Sequence, residues 1–381
     1  MRIVANLTND KLEQLYEKLD EEIINLPQQF KNLRLGLLPK ICQLFITALK
    51  SNSNTKVKFY KLESNKEHAV SELLTHPECL TALLMSDSVY EKDRELDEKK
   101  IELELKSKIN IDIQKRLNES IFKRAYRVQL FAVDHSAKKY AFPSCFYLSE
   151  DSNLLKKSQF YTKLLTRLLD IIPNHFTISE NHLNNLGQVI YELIENTEQH
   201  GKFDFNTGKA DKSVRGLIID YNLITKMQTS ESIGGENSAI TSYLKAIRIA
   251  NPTVHLLEIS IFDSGQGVFK SLEANNTTDI SLKDEVKVVE KSFAKGVTSK
   301  PNPHGYGRGL FNVRNVLDER KGFISLRTGR IGVYRDFCSN PLSEKEKEPL
   351  SLFDEISKST KNYTQLAQAE GLACSILVPI Q

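Results

Sequence analysis

The sequence predicts an α+β protein in two parts, a smaller α/β domain over residues 1–150 and a larger one over residues 151–381. Three observations predict it. Short apolar runs read as strands at 128–133, 215–224, 256–262, 323–326 and 371–379, with Leu257, Ile259 and Ile261 alternating. Others recur at helical spacing, most clearly Leu186, Val189, Ile190, Leu193, Ile194 and Thr197. A chain of 381 residues is long for one core and comfortable for two. The polar stretch 150–153 separates a strand-like from a helix-like run, so the junction is set near Glu150.

Composition narrows the class. Hydrophobic residues make up 40% and charged residues 27%, ordinary for a soluble globular chain and unlike a disordered one. The net charge of +3 is too small to imply a nucleic-acid partner. No run reaches the apolar length of a membrane span, and the start of the chain has no apolar signal core and turns acidic at once. Five cysteines, odd in number, widely spread and never in a CxxC pair, read as buried thiols of a reducing cytoplasm.

In the first part, Leu12, Leu15, Leu19, Ile23 and Ile24 predict a helix over 9–26, ended by Pro27. Ile41, Leu44, Phe45 and Leu49 predict the next helix, residues 56–62 a strand, and 72–85 a helix interrupted near Pro77. Residues 91–119 carry Ile101, Leu105, Ile109, Ile113 and Leu117 at every fourth position and also alternate. Length without Gly or Pro favours one long charged helix, a solvated face or a dimer contact. Residues 128–133 and 140–147 read as paired strands, and 154–172 as a helix ending before Pro173. Nothing in the first 150 residues assembles into chemistry.

The second part does. On the 186–201 helix Glu192 and Asn196 stand one turn apart on the flank of the apolar stripe, while Glu195 points away. A carboxylate and a carboxamide so placed can reach one point at a pocket rim and hold a hydrated cation and a polarised water. Gly201 suits a left-handed helix cap. Taken alone, the stretch is an amphipathic helix with a polar edge. A strand at 215–224, a helix within 234–250 and a strand at 256–262 follow, with turn-rich insertions between them. Asp263-Ser264-Gly265-Gln266-Gly267 then closes the last strand in a sharp turn. Gly305-Tyr306-Gly307-Arg308-Gly309-Leu310 opens a helix whose backbone N–H groups can approach a polyphosphate. The spacing is not a dinucleotide fingerprint, and no GxxxxGK[ST] loop is present.

In sequence order these three segments resemble the boxes of the GHKL (Bergerat-fold) ATPase superfamily shared by gyrase, heat-shock chaperones, histidine kinases and mismatch-repair proteins. The resemblance covers roughly residues 181–381 and implies an α/β sandwich, a mixed sheet covered by helices. It implies that Asn196 ligates Mg²⁺, that Glu192 orients or deprotonates the attacking group, and that Asp263 accepts from the adenine amine. Gly265, Gly267, Gly305, Gly307, Gly309 and Leu310 would shape the pocket. Residues 293–300 resemble the lid, with Lys295, Thr298, Ser299, Lys300 and Arg308 as a group facing phosphate, and the charged run 279–291 as part of a mobile lid. The last strand ends as many kinase-type members do, but Leu372 stands where a threonine reaching adenine is usual. None of His68, His76, His135, His175 or His182 has a phosphoacceptor context; His200 and His304 fall near the expected phosphates and are read as loop or capping residues. The first reading is a cytoplasmic Mg-ATP switch with slow hydrolysis, binding ATP and ADP and acting on a protein partner or a second copy of the chain. The alternatives are a protein kinase acting on a partner and a non-catalytic nucleotide sensor.

Overall fold

The computed structural model describes residues 1–52, 54–60, 73–91, 94–95, 126–134, 146–149, 154–172, 178–202, 212–235, 238–273, 280–297, 309–343 and 349–380. The protein is mixed α and β, with ten helices among the described residues. A first, four-stranded sheet comes from the N-terminal part. Helix α1 (Asn9–Leu15) is capped by Thr8, whose hydroxyl accepts from the Lys11 amide, and it buries Leu12 and Leu15. The helix expected over 9–26 stops there, and Ile23, Ile24 and Leu26 belong to strand β1 (Ile23–Pro27). Two β-branched residues beside a parallel partner strand override the helical spacing: β1 pairs in register with β2 (Lys56–Tyr60), Ile24 opposite Val57 and Leu26 opposite Phe59.

Between these strands runs α2 (Leu38–Ser51), buried from Leu38 to Leu49. Its polar Lys40, Gln43 and Thr47 are buried along with its apolar residues, so neighbours cover it on every side. On one side it packs on α3 (Pro77–Met85), which starts at its proline because the missing N–H costs nothing at a first helical position. Short strands β3 (Val89–Glu91) and β4 (Arg94–Glu95) finish the sheet, with β1, β2 and β3 parallel and β4 antiparallel. The long helix expected over 91–119 otherwise lies outside the described residues.

The second sheet has seven strands. Strand β5 (Arg127–Val133) is one edge. Helices α4 (Ser158–Asp170) and α5 (Glu180–His200) follow, then β6 (Val214–Ile224), short α6 (Ser230–Gly234), α7 (Ala239–Ile247) and β7 (Val254–Asp263). Next come α8 (Gly267–Leu272), α9 (Leu282–Ser292), α10 (Gly309–Glu319), the hairpin β8 (Phe323–Gly329) and β9 (Ile331–Asp336), β10 (Phe353–Asp354) and β11 (Ala369–Pro379). The order is β10-β9-β8-β11-β7-β6-β5 and every pairing is antiparallel, so the mixed sheet is the N-terminal one and not this one.

This sheet runs across the junction expected near residue 150. Strand β5 pairs with β6 from Arg127–Asp220 to Val133–Val214, and the first pair is also a two-point ion pair. The strand partner expected for it at 140–147 lies mostly outside the described residues; Tyr147 bridges to Leu155. One face of the sheet carries Leu257, Ile259, Ile261 and Ile376 into a core with α4, α5, α9 and α10. On the other face Phe131, Val133, Val214, Ile218, Phe262 and Ala369 share a core with α1, α2 and α3. Farther along that face, Leu256, Phe323 and Leu377 pack with Tyr243 and Leu244 of α7.

Candidate functional site

Helix α5 organises the site. Ser179 caps its start, accepting from the His182 amide, and Leu186, Val189, Ile190, Leu193, Ile194 and Thr197 are buried as their spacing predicts. Glu192 and Asn196 are half-buried on the flank. Gln188, one turn earlier, donates through Nε2 to Glu192 Oε1 at 2.7 Å. The other carboxylate oxygen lies against the start of α10: a Cβ added to Gly309 would stand 2.6 Å from Glu192 Oε2. The glycine is therefore a place where a helix N-terminus comes up to the carboxylate without an intervening side chain. Asn196 makes no side-chain hydrogen bond among the described residues.

The far end of α5 meets the end of β7. Gly201 has φ −78 and ψ −11, so it is not the expected left-handed cap. Space is what requires it: a Cβ there would lie 2.6 Å from the Thr197 carbonyl and 2.7 Å from Asp263 Cβ. A Cβ on Gly265 would collide with the His200 carbonyl and come within 2.9 Å of Gly201 Cα. Ser264 locks this corner, its hydroxyl accepting from the Val214 amide at 2.9 Å and donating to the Gly201 carbonyl at 3.4 Å.

Asp263 is 5% exposed. Its Oδ1 accepts from the Gly265 amide at 2.9 Å, and the Leu372 amide also donates to the carboxylate. Burial pushes its pKa up to about 6, while the Gly265 amide, Arg215, Lys50 and the Leu372 amide oppose the rise. Arg215 stands opposite Asp263 in the β6–β7 ladder, but its guanidinium is committed elsewhere: to Glu198, to Asp134 Oδ2 at 2.6 Å and to the Tyr147 hydroxyl at 3.1 Å. Asp263 thus keeps unused acceptor capacity next to a cation whose charge is already shared.

Two residues at this end were not singled out in the sequence. Thr328 on β8 sits opposite Leu372, donates to the Gly371 carbonyl at 3.2 Å and accepts from the Val268 amide at 3.1 Å. Its Oγ1 would lie 2.6 Å from a Cβ on Gly267, which has φ +82. A buried threonine hydroxyl therefore borders the turn although position 372 is leucine. Lys50 of α2 donates to the Ser264 carbonyl at 2.8 Å. Neither residue carries a motif, and only the register and the N-terminal packing bring them in.

The expected lid is partly seated. Val286, Val289 and Phe293 are in the core, and buried Glu285 accepts from the Arg330 amide at 3.0 Å and from its Nε at 3.1 Å. The α9 part of 279–291 is therefore anchored, contrary to expectation, because an apolar period lies hidden among its charges. Lys295 is exposed in the turn after α9, and Leu310 is half-buried against the core. Thr298, Ser299, Lys300, His304, Gly305, Gly307 and Arg308 lie outside the described residues. Among the described residues no three His, Cys, Asp or Glu side chains are grouped as a metal site, and no helix is long and apolar enough to cross a membrane.

Comparison of the chain with family models, with curated proteins and with solved structures found no match.

Proposed function

We propose that this chain is a GHKL-type, Bergerat-fold ATPase, a cytoplasmic switch that binds Mg-ATP and hydrolyses it slowly. The observation that carries the reading is that α5 touches two turns of opposite chemistry. Near its middle Glu192 meets the glycine that opens α10; at its end Gly201 meets the Asp263 turn. Nine residues of helix separate the two, about 13 Å. A helix N-terminus attracts phosphate and a buried carboxylate accepts from an amine, so a ligand with a phosphate tail and an aminated base suits both ends.

The residues fit a magnesium ion held largely by phosphate oxygens and waters. Asn196 offers one neutral oxygen on the helix face that carries Glu192, and magnesium accepts such sparse protein ligation. The ion would neutralise charge on the phosphates. Glu192, oriented by Gln188, accepts the proton of a water as its oxygen bonds to the outer phosphorus and the bridge to ADP breaks. Asp263 holds the base, with Thr328 and the glycines shaping its surroundings. The free thiols of Cys42, Cys79, Cys338 and Cys374 suit a reducing compartment.

Phosphate release from Mg-ATP by the purified chain tests the reading. Slow release is expected, reduced by at least about 100-fold in Glu192→Gln while ATP still binds. No release at any enzyme concentration overturns hydrolysis. Label appearing on a second protein instead assigns the same carboxylate to phosphotransfer.

A further inference from the structure

We propose that α2 is a positioning element for the base end of the nucleotide site, with Lys50 as the residue through which the N-terminal part of the chain and the nucleotide are coupled. The inference rests on the nucleotide reading above and goes beyond it, because α2 lies on the opposite face of the sheet from α5 and supplies none of the three motif segments.

Gln43, Thr47 and Lys50 follow one another at i, i+4 and i+7 and therefore share one face of α2. All three reach the pair of segments that border Asp263. Gln43 Nε2 donates to the carbonyls of Arg327 at 2.9 Å, Glu370 at 3.2 Å and Gly371 at 3.4 Å. Thr47 Oγ1 accepts from the Glu370 amide at 3.0 Å. Lys50 Nζ donates to the Ser264 carbonyl at 2.8 Å and pairs with Glu370 Oε2 at 3.1 Å.

These contacts concentrate where β11 is irregular. Its register with β8 slips between Ala369 and Leu372, and Gly371 adopts φ +67. A Cβ on Gly371 would collide with the Asp263 carbonyl and lie 3.1 Å from Asp263 Oδ1. One helix of the N-terminal part thus grips both the turn that follows the base-reading carboxylate and the bulge that lies against it. A shift of α2 moves both. By linkage, whatever displaces α2 changes nucleotide affinity by the same factor as nucleotide changes its binding.

The charges facing Asp263 give the coupling a signed readout. They are Arg215 from β6 and Lys50 from α2, with Glu370 of β11 sharing the Lys50 ammonium and Glu198 of α5 sharing the Arg215 guanidinium. Lys50 holds the carboxylate toward its ionised form. Its removal raises the pH at which half of the nucleotide affinity is lost, whereas Glu370→Gln, which takes away the anion that shares the Lys50 ammonium, lowers it. A lysine that only braced the fold would not give opposite shifts on its own removal and on Glu370→Gln.

The test is calorimetric titration of the full chain with Mg-ATP and Mg-GTP between pH 5 and 8, comparing the wild type with Lys50→Met, Lys50→Arg and Glu370→Gln. Lys50→Met is expected to weaken ATP at pH 7 by about five-fold or more, to narrow the preference over GTP and to raise the pH midpoint. Lys50→Arg restores most of the affinity. Should Lys50→Met fail to fold, the shift in Glu370→Gln decides. A wild type that binds ATP while Lys50→Met and Glu370→Gln leave affinity and midpoint unchanged overturns the coupling. A wild type that binds no adenine nucleotide overturns instead the reading on which it rests.

Discussion

Asp263 is a buried carboxylate whose titration the fold moves up toward neutral pH. Burial raises its pKa to about 6, and the cation opposite it is shared with Glu198 and Asp134. A raised folded-state value means that ionising the group costs stability: its contribution is fully present below the ordinary value of 3.8 and is lost as pH rises through about 6. Binding an amine-bearing base runs the other way, since it uses the ionised acceptor. ATP affinity should therefore fall about tenfold per unit below pH 6, and a titration of Kd against pH in the wild type and Asp263→Asn, where that dependence disappears, checks it. Arg215, fully buried and holding two carboxylates, is the structural counterpart. Arg215→Met removes the buried cation that Glu198 and Asp134 share and leaves Glu198 with Lys202 and the Tyr147 hydroxyl, and urea unfolding should show a loss of about 3 kcal/mol.

Between elements, the site depends on close approaches that only glycine permits. Gly309 has a low helix propensity at the start of α10, so alanine would favour the helix by up to about 1 kcal/mol. Its methyl group would meet the far end of the Glu192 side chain, which would have to shift away from the position at which Gln188 donates to it. Gly309→Ala should therefore keep or raise Tm while phosphate release falls by about tenfold or more; a variant with full activity would remove Glu192 from its role. Much of this was legible beforehand. The apolar stripe of α5, the strand leading into Asp263 and the glycines before Leu310 are local patterns, and the elements appear where those patterns placed them. What was not legible is long-range. Ile23 and Ile24 read as helix until β2 pairs with them, Gly201 read as a cap until Asp263 occupied the space where a Cβ would be, and α9 read as part of a lid until Glu285 met Arg330. Thr328 enters only through a strand register, and Lys50 comes from more than two hundred residues away in the chain.

Across the whole molecule, the seven-stranded sheet is covered on both faces, and the N-terminal part provides one of the covers. The sequence places a boundary near residue 150, but β5 lies ahead of it and α2 packs on β7 and β11. A chain that begins at residue 126 would expose Phe131, Val133, Val214, Ile218, Phe262 and Ala369 together. It should bind a hydrophobic dye strongly and lose cooperative thermal unfolding, as measured by dye fluorescence and calorimetry. A cooperative, dye-silent fragment would show that the second part folds alone. The same cover brings Lys50 to the turn that follows Asp263.

The most direct measurement is isothermal titration of the full-length chain with Mg-ATP, repeated on Asp263→Asn. The wild type should bind with measurable heat, and the variant should lose about 1.5–3 kcal/mol, roughly ten- to hundred-fold in Kd. No heat with ATP or ADP, or equal affinity in the variant, would contradict a nucleotide held between the Glu192 helix and the Asp263 turn.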